Sequence, residues 1–432
     1  MTTRRLGAPE AAALLRPTDT LGIPLGPGQP GAFLHALGAR DDWVSLTVFG
    51  ALLVDLYQVF LHPNVRYLSG FYGPAERFLA DAGARVEFIP SDFRRFTRIA
   101  EQLRPRVVAT AGAAPDPDGW ISLSLHAGAT VGAIHDAAAD PDRLLVVETS
   151  PAFPRTLGLP PEHPHRVHLD EVDVLVETDR QPFVLEDPEP TEVERAIAAH
   201  VRPFVRDGAT LQTGIGGIPS TVMRLLARGD GGDYGVHSEM FTTGLMDLHR
   251  AGKVTNRHKG IFEGFSVTTF AAGTAELYEW LAGNDEVRFL PVDIVNSPET
   301  IAANRNMVTL NGALAVDLYG QVVADTIGER QFSGIGGHED FVSVSGLGLD
   351  DRSIVCLPSS SVIDGARVHR IVPALPAGWV VTTPRHQVDL VITEHGVAHL
   401  RGRTVRERAA ALAEIAHPEI RDELRERAAR LT

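Results

Sequence analysis

The feature that most constrains the fold is a recurring order of apolar run, glycine-rich turn and helical segment. In the first example an apolar run at 20–25 leads into the turn 26–30, and helical apolar spacing follows at 31–37. Further apolar runs lie at 43–56, 84–89, 107–110, 144–147 and 172–176. Strands that alternate with helices form sheets with a large parallel component. The chain is therefore expected to be an α/β protein.

Length and one acidic segment predict two domains. At 432 residues the chain exceeds the size at which a single core keeps growing. The stretch Leu185-Glu186-Asp187-Pro188-Glu189-Pro190 is acidic and proline-rich, and it is the best candidate linker. Directly after it, Thr191 and Glu194 have the spacing of a capping box at a helix start. We expect an N-terminal α/β domain at 1–188 and a C-terminal α/β domain at 189–432.

Further elements are predicted in the second half of the chain. The predicted strands are 207–213, 266–270, 287–290, 308–310 and, as the last strand, 388–392. Asn311-Gly312 is a typical turn dipeptide. A second capping box, Thr404 with Glu407, and Pro418 at a first helical position predict two terminal helices.

Composition excludes several classes of protein. With 44% hydrophobic residues and a mean hydropathy of −0.01, the chain can bury a full core and is expected neither to be disordered nor to span a membrane. Its formal charge of −15 argues against a nucleic-acid partner, which would require a basic face. The single cysteine, Cys356, permits no intrachain disulfide and fits a reducing compartment. We expect a soluble cytoplasmic protein.

The two lysines of the chain, Lys253 and Lys259, lie close together. Arginine supplies every other fixed positive side-chain charge. This bias marks the segment 253–259 as a place where a compact ammonium has a role, such as a contact with phosphate. The alternative, two lysines on a solvated turn, stays equally open.

The tetrapeptide Gly-Ile-Gly-Gly occurs twice, at 214–217 and at 334–337. Without a Cβ atom such turns bring backbone N–H groups close to a ligand. The first turn follows a predicted strand and precedes a predicted helix at 220–227, an arrangement that favours anionic groups. It is neither a dinucleotide fingerprint, because Pro219 replaces the third glycine, nor a P-loop, because Gly-Lys-Ser/Thr is missing.

Between the two turns lies Gly235-Val236-His237-Ser238-Glu239-Met240. Apolar neighbours are expected to desolvate Glu239 partly, which would make its carboxylate a better nucleophile. A carboxylate flanked by two glycine turns indicates acyl chemistry, with amides that hold the developing oxyanion. The alternative is an ordinary surface acid.

Other chemistries lack necessary residues. His237 and Glu239 have the His-x-Glu spacing of zinc deaminases, but one cysteine cannot supply Pro-Cys-x-x-Cys. His395 and His399 are four positions apart without the glutamate of a zincin. No Gly-x-Ser-x-Gly elbow is present, and Cys356 lies in an apolar run without activating neighbours. We therefore expect no metal centre and no serine or cysteine nucleophile.

These motifs resemble the acetyl-CoA hydrolase/transferase family, which includes 4-hydroxybutyrate CoA-transferases. The resemblance covers most of the chain and is strongest from Gly208 onward. The segments that carry it are Gly208-Ala209-Thr210-Leu211-Gln212, 214–219, 235–240, Val254-Thr255-Asn256, 316–321, Ser333 to Gly337 and Thr382-Thr383-Pro384-Arg385. Upstream, 118–123 and Pro154-Arg155-Thr156 resemble the family's first domain.

The resemblance implies two CoA-transferase-type α/β domains, with the active site in the cleft between them. It implies that Glu239 is the catalytic carboxylate and that Gly337 offers its amide near the reacting carbonyl. The candidate CoA-binding residues are Gly214, Gly216, Gly217, Ile218, Pro219, Ser220, Asn311, Gly336, Gly337 and Lys259. Acyl-CoA and small carboxylates would be substrates, with no permanently bound cofactor, and a homodimer is implied.

The family pattern is broken where the acyl group is expected. Glu148-Thr149-Ser150 replaces Glu-Val-Asn, His338 replaces a glutamine after Gly336-Gly337, and Phe241-Thr242-Thr243 follows the nucleophile. The leading interpretation is a CoA-transferase that works through a glutamyl-CoA thioester. Two alternatives stay open: an acyl-CoA hydrolase in which His338 or Ser150 admits water, and a non-catalytic CoA-binding protein.

Overall fold

The chain forms two compact units that do not follow one simple division of the sequence. The computed structural model describes residues 3–344, 348–363 and 365–431. One unit consists of Met1–Leu185 and Val267–Val295, and the other of Glu186–Ser266 and Asn296–Thr432. The acidic stretch begins where the chain first passes from one unit to the other. The predicted division at 188/189 used a single linker. It therefore placed residues 267–295 in the C-terminal domain, whereas they pack with the first unit.

The first unit is built on an eight-stranded sheet in which all adjacent strands are parallel. In spatial order the strands are Arg4–Arg5, Val174–Glu177, Leu144–Ser150, Val107–Ala113, Thr18–Leu25, Ser45–Ala51, Val65–Ser69 and Arg85–Phe88. The α-helices are Ala8–Ala12, Gly31–Gly38, Pro74–Asp81, Phe96–Leu103, Val131–Ala139, Ala275–Leu281 and Val292–Val295. The strands Val107–Ala113 and Leu144–Ser150 are buried throughout, as expected for a parallel sheet covered on both faces.

The second unit contains a six-stranded sheet. In spatial order its strands are Gly235–Val236, Thr210–Thr213, Met307–Gly312, Arg352–Cys356, Leu390–Thr393 and Gly396–His399. The first five are parallel, and the last is antiparallel to its neighbour. The α-helices are Glu192–Val201, Gly217–Arg228, Thr243–Arg250, Pro298–Ala303, His338–Val342, Val405–Glu414 and Pro418–Ala429. Both units confirm the α/β prediction with a large parallel component.

Two local predictions for the second unit were wrong. Asn311-Gly312 forms no hairpin turn; the two residues end the strand Met307–Gly312 and pair with Val355 and Cys356. The strand near 390 is not the last one, because Gly396–His399 returns antiparallel beside it. A dipeptide preference is weak beside the hydrogen bonds that a central strand position offers.

The predicted helix starts are confirmed. Thr191 and Thr404 each accept a hydrogen bond from the backbone N–H of the glutamate three residues on, and that glutamate returns the bond. Such caps typically contribute about 1 kcal/mol each. Pro418 is the first residue of the terminal helix. Over the described ranges, no helix is both long enough and apolar enough to cross a bilayer.

Candidate active site

The carboxyl edge of the second unit's parallel sheet collects several predicted site residues. The strand Thr210–Thr213 lies beside both Gly235–Val236 and Met307–Gly312. The first glycine turn begins directly after Thr213, and Glu239 follows the strand Gly235–Val236 by three residues. Because parallel strands end at one edge, the turn and the acid lie on the same side of the sheet. Asn311, at the end of the third strand, also reaches this edge and donates its side-chain N–H to Gln212 Oε1 at 3.4 Å.

The short strand before Glu239 is fixed by side chains as well as by its sheet partner. Val236 N–H donates to Asn256 Oδ1 at 2.9 Å, and Lys259 Nζ donates to the Val236 carbonyl at 2.7 Å. Ser238 Oγ donates to the carbonyl of Thr213 at 3.0 Å, so it ties the segment that carries Glu239 to the strand that enters the first turn. A strand of only two residues forms few hydrogen bonds with its neighbour and would position the following segment weakly. These contacts hold the backbone immediately before the acid.

Lys259 occupies a different environment from a phosphate-binding lysine. Its side chain is fully buried, and Nζ donates to the carbonyls of Val236 and Phe265, both at 2.7 Å. Burial lowers the pKa of this ammonium well below its ordinary value. A phosphate contact would require Nζ to leave both carbonyls, so the geometry favours a structural role. Lys253 likewise donates to a backbone carbonyl, that of Gly229, at 2.7 Å.

Glu239 is held by an asparagine that the sequence reasoning missed. Asn296 Nδ2 donates to Glu239 Oε2 at 2.6 Å and to Asp340 Oδ2 at 2.8 Å. One amide therefore bridges two carboxylates. Asn296 and Asp340 are both fully buried, whereas Glu239 is partly buried. The bridge fixes the direction of the Glu239 carboxylate and places a second acid beside it.

The surroundings of Glu239 favour its protonated form in the absence of ligand. Burial is the largest cause and the nearby Asp340 the second, and together they raise the pKa of Glu239 to about 8. The hydrogen bond from Asn296 acts in the opposite direction. A desolvated carboxylate with a raised pKa is a strong base and nucleophile once it ionises, as acyl chemistry requires.

The second glycine turn lies directly against Glu239. A Cβ atom on Gly337 would lie 1.8 Å from Glu239 Oε2 and 2.7 Å from Asn296 Nδ2. No side chain fits at either distance. The preceding Gly336 has a left-handed φ of 55°. The prediction that this turn and the acid lie together is consistent with these contacts, and the glycine at 337 is a steric requirement of the carboxylate.

The first glycine turn is open at its start and leads into a long helix. At its last residue, a Cβ on Gly217 would lie 1.7 Å from Glu194 Oε1. Gly216 has φ 129° and ψ 167°, a conformation that glycine alone adopts readily. The helix Gly217–Arg228 begins directly after it, and Ile215 at the tip is 60% exposed. Ile218, Pro219 and Ser220 form the first turn of this helix, where the helix dipole favours an anion; Pro219 has no N–H, and the Ser220 N–H donates to the Gly216 carbonyl at 3.2 Å. The candidate CoA contacts thus lie at a helix start.

His338, which departs from the family pattern, is part of a hydrogen-bonded chain. Its Nε2 lies 2.8 Å from Thr383 Oγ1, and the Thr383 hydroxyl donates to Glu339. Burial lowers the pKa of His338 to about 4, so the imidazole is neutral at physiological pH. Since the Thr383 proton goes to Glu339, Thr383 Oγ1 accepts from His338 Nε2–H. The chain fixes the start of the helix that follows Gly337.

Two further candidates from the sequence are buried residues. Ser150 lies at the end of the strand Leu144–Ser150 in the first unit, and its Oγ donates to the Arg180 carbonyl at 2.8 Å. Cys356 is buried in the second unit, and burial raises its pKa to about 12, which agrees with its interpretation as a core residue. The Ser150 hydroxyl is thus engaged by a backbone carbonyl, and the Cys356 thiol is protonated at physiological pH, so neither side chain is activated as a nucleophile.

Asn296 and Asp340 had no clear signal in the sequence. Asn296 follows the short helix Val292–Val295 and is 57 positions from the acid that it contacts. Asp340 was visible only as an acid in the first turn after the second glycine motif. A search for polar residues beside a glycine turn would have found Asp340, whereas Asn296 required the tertiary structure.

Comparison with known proteins assigns the family. Residues 273–428 match the acetyl-CoA hydrolase/transferase C-terminal domain. The chain is 36% identical to a succinyl-CoA:cyclohexane-1-carboxylate CoA transferase of Geobacter metallireducens, over 98% of this chain and 94% of that protein. It is 34% identical to a 4-hydroxybutyrate coenzyme A transferase of Clostridium kluyveri, over 92% of this chain and 90% of that protein.

A solved structure extends the likeness to the whole fold. The crystal structure of RipA from Yersinia pestis matches with a TM-score of 0.89 and 30% identity, covering 99% of this chain and 97% of that one. The sequence resemblance and the α/β architecture agree with these matches. The chain therefore belongs to the acetyl-CoA hydrolase/transferase family and is an enzyme of that type.

Proposed function

We propose that the protein transfers CoA between an acyl-CoA and a small carboxylate, with Glu239 as the covalent carrier. The observation that carries this proposal is the Glu239 carboxylate itself, held by Asn296 at 2.6 Å and pressed against Gly337. A nucleophile needs a fixed direction and little water around it. Both conditions are met at this acid.

The first half of the reaction moves CoA onto the enzyme. The ionised Glu239 attacks the thioester carbonyl, the carbon–sulfur bond breaks, and an acyl-glutamyl anhydride and a CoA thiolate form. The thiolate then attacks the glutamyl carbonyl of the anhydride. The original acyl group leaves as its carboxylate, and Glu239 is left as a glutamyl-CoA thioester.

The second half is the same sequence in reverse with a new carboxylate. The acceptor attacks the glutamyl-CoA thioester and releases the thiolate, which takes up the acceptor's acyl group from the new anhydride. Glu239 returns as a carboxylate. Since a thioester or an anhydride is present at every stage, little free energy is lost. The acceptors proposed are small carboxylates, the class that the relatives' names describe.

The glycine turns have separate parts in this mechanism. The amide of Gly337, next to the carboxylate, is proposed to stabilise the oxyanion that forms at the reacting carbonyl. The start of the helix Gly217–Arg228 is proposed to bind polar or anionic parts of CoA. Binding of these remote parts can supply the energy that positions the thioester. We further propose that the protein works as a homodimer in the cytoplasm.

Acceptor dependence separates transfer from hydrolysis. Purified protein is incubated with acyl-CoA, with and without a carboxylate acceptor, and free thiol, the donor's carboxylate and new acyl-CoA are measured. Without acceptor, transfer predicts release of one equivalent of the donor's carboxylate per enzyme and no free thiol, because CoA stays on Glu239; with acceptor, it predicts sustained formation of new acyl-CoA. Thiol release at the full rate without acceptor would instead show a hydrolase that uses the same acid. The variant Glu239→Gln should abolish both reactions.

A further inference from the structure

A pocket lies at the opposite edge of the second unit's sheet from Glu239. It has a volume of about 350 Å³, and its lining includes Phe204, Arg206, Arg352, His399, Arg401 and Arg403. Arg352 is the first residue of the strand Arg352–Cys356, so the pocket lies at the amino end of the parallel strands. A strand of five residues spans roughly 15 Å, which separates the two edges. This pocket is therefore distinct from the acyl-transfer site.

The pocket is cationic in a strongly anionic chain. Four arginines line it together with Asp350 and Asp389, which leaves two positive charges in excess, whereas the whole chain carries −15. Arg206 lies 3.4 Å from Asp350, and Arg403 lies 3.8 Å from Glu407 outside the lining; all four side chains are more than half exposed. Exposed pairs of this kind neutralise each other only weakly. The pocket therefore retains a positive potential.

Two of the guanidinium groups are held together by the backbone. Arg352 Nη1 donates to the carbonyls of Leu349 at 2.8 Å and Asp351 at 2.6 Å. Arg401 Nη2 donates to the same Asp351 carbonyl at 3.2 Å, and its Nε lies 3.3 Å from Asp389. Two like charges that share one acceptor repel each other. An anion with several oxygens would offset this repulsion by bridging them.

An aromatic pair lies beside these charges. The rings of Phe204 and His399 are 5.7 Å apart between centroids and are tilted by 57°. Their side chains are partly exposed, so the pair offers an apolar surface next to the arginines. Small-ligand sites commonly combine an apolar surface with a few fixed polar groups in a volume of this order.

We propose that this pocket binds a small anion containing a diphosphate group. Guanidinium groups recognise phosphate oxygens through paired N–H donors, and two phosphates match the two arginines joined at Asp351. The diphosphate can come from inorganic pyrophosphate or from a nucleotide such as ADP. If the ligand is a nucleotide, its base can pack against the rings of Phe204 and His399. The two probes therefore report on different parts of the pocket.

The test is a calorimetric titration of the full-length protein with pyrophosphate and, separately, with ADP at low ionic strength. The double variant Arg206→Glu/Arg403→Glu reverses two charges whose side chains are 73% and 56% exposed. The matched control is Arg95→Glu/Arg98→Glu in the first unit, which makes the same charge change at side chains that are 67% and 74% exposed. Circular dichroism confirms that each variant is folded.

Saturable binding of pyrophosphate to the wild type is expected, weakened at least about tenfold in the pocket variant and changed less than about twofold in the control. Affinity should also fall with added salt. Arg352→Gln, which removes one of the backbone-held charges, should weaken binding as well. Tighter binding of ADP than of pyrophosphate, reduced by Phe204→Ala, would identify a nucleotide ligand. Absence of binding in the wild type, or equal losses in the pocket variant and the control, would overturn the proposal.

Discussion

The two Gly-Ile-Gly-Gly turns have the same four residues but different tasks. The first, at 214–217, is open: a Cβ on Gly214 would meet no atom within 4 Å, and Ile215 is largely exposed. The second, at 334–337, is closed against Glu239, the proposed catalytic acid, because a Cβ on Gly337 would lie 1.8 Å from Glu239 Oε2. Both turns end against a carboxylate of the protein, since a Cβ on Gly217 would lie 1.7 Å from Glu194 Oε1. Glu194 is held in a helix cap by Thr191, whereas Glu239 is held by Asn296, and only the first turn is open at its start.

The two turns also differ in the helix that each one precedes. The first leads into a helix of 12 residues, long enough for its N-terminal N–H groups and dipole to bind an anion. The second leads into a helix of five residues whose first residue, His338, is tied to Thr383. A motif therefore indicates close approach of the backbone, whereas its surroundings decide which group approaches. Three predictions test this distinction.

The largest effect is expected from one methyl group in the closed turn. Gly337→Ala must displace the Glu239 carboxylate or the Asn296 amide, so kcat should fall by roughly 10²-fold or more. The open-turn partner, Gly214→Ala, should leave kcat within about threefold, because its Cβ has free space. Steady-state kinetics with one acyl-CoA and one acceptor compares both variants. Similar losses of kcat in the two would contradict the assignment of separate tasks.

A smaller effect concerns the second carboxylate that the closed turn brings beside Glu239. In the proposed mechanism the ionised Glu239 is the nucleophile. Because its pKa is raised to about 8, kcat/KM of the wild type should rise with pH until about pH 8 and then level off. Asp340→Asn removes the neighbouring negative charge that contributes to this shift. The inflection should then move to lower pH, with kcat/KM near pH 6 raised relative to its own plateau. An unchanged inflection would show that Asp340 does not control the protonation of Glu239.

The smallest effect is expected on the free energy of unfolding, and it arises from the different backbone conformations of Gly216 and Gly336. Gly216 adopts φ 129° and ψ 167°, which side chains disfavour strongly, whereas Gly336 lies at φ 55°, where other residues are tolerated. Gly216→Ala should lower the free energy of unfolding by about 1–3 kcal/mol, and Gly336→Asn by less than about 1 kcal/mol. Urea denaturation measures both. A larger loss at 336 would contradict the conformational reason given for the first turn.

Sequence patterns predicted the elements of the fold well where local chemistry decides them. The capping boxes at Thr191 and Thr404 and the buried strands follow from side chains near in sequence, which explains their agreement with the structure. The insertion of 267–295 into the first unit depends on tertiary packing, and no local pattern marks it. The turn expected at Asn311 failed for the same reason, since the neighbouring strands outweigh the dipeptide preference.

For the candidate site, the sequence singled out Glu239 but gave no account of the side chains around it. Glu239 was selected by its place between two glycine turns and by the resemblance to a family. The asparagine that orients it comes from a distant part of the sequence. Lys259 shows the opposite case: its rarity drew attention to it, but its buried ammonium supports the strand before Glu239. The rarity of lysine in this chain indicated that Lys259 is important, but it did not indicate that its role is structural.

The most direct test of the central proposal is to trap CoA on Glu239. The protein is incubated with acyl-CoA and no acceptor, treated with borohydride, digested and analysed by peptide mass spectrometry. The account predicts reduction of one side chain, in the peptide that contains Glu239, and its absence both without acyl-CoA and in Glu239→Gln. Reduction of another carboxylate, or no modified peptide while transfer proceeds at its normal rate, would contradict the proposed glutamyl-CoA thioester.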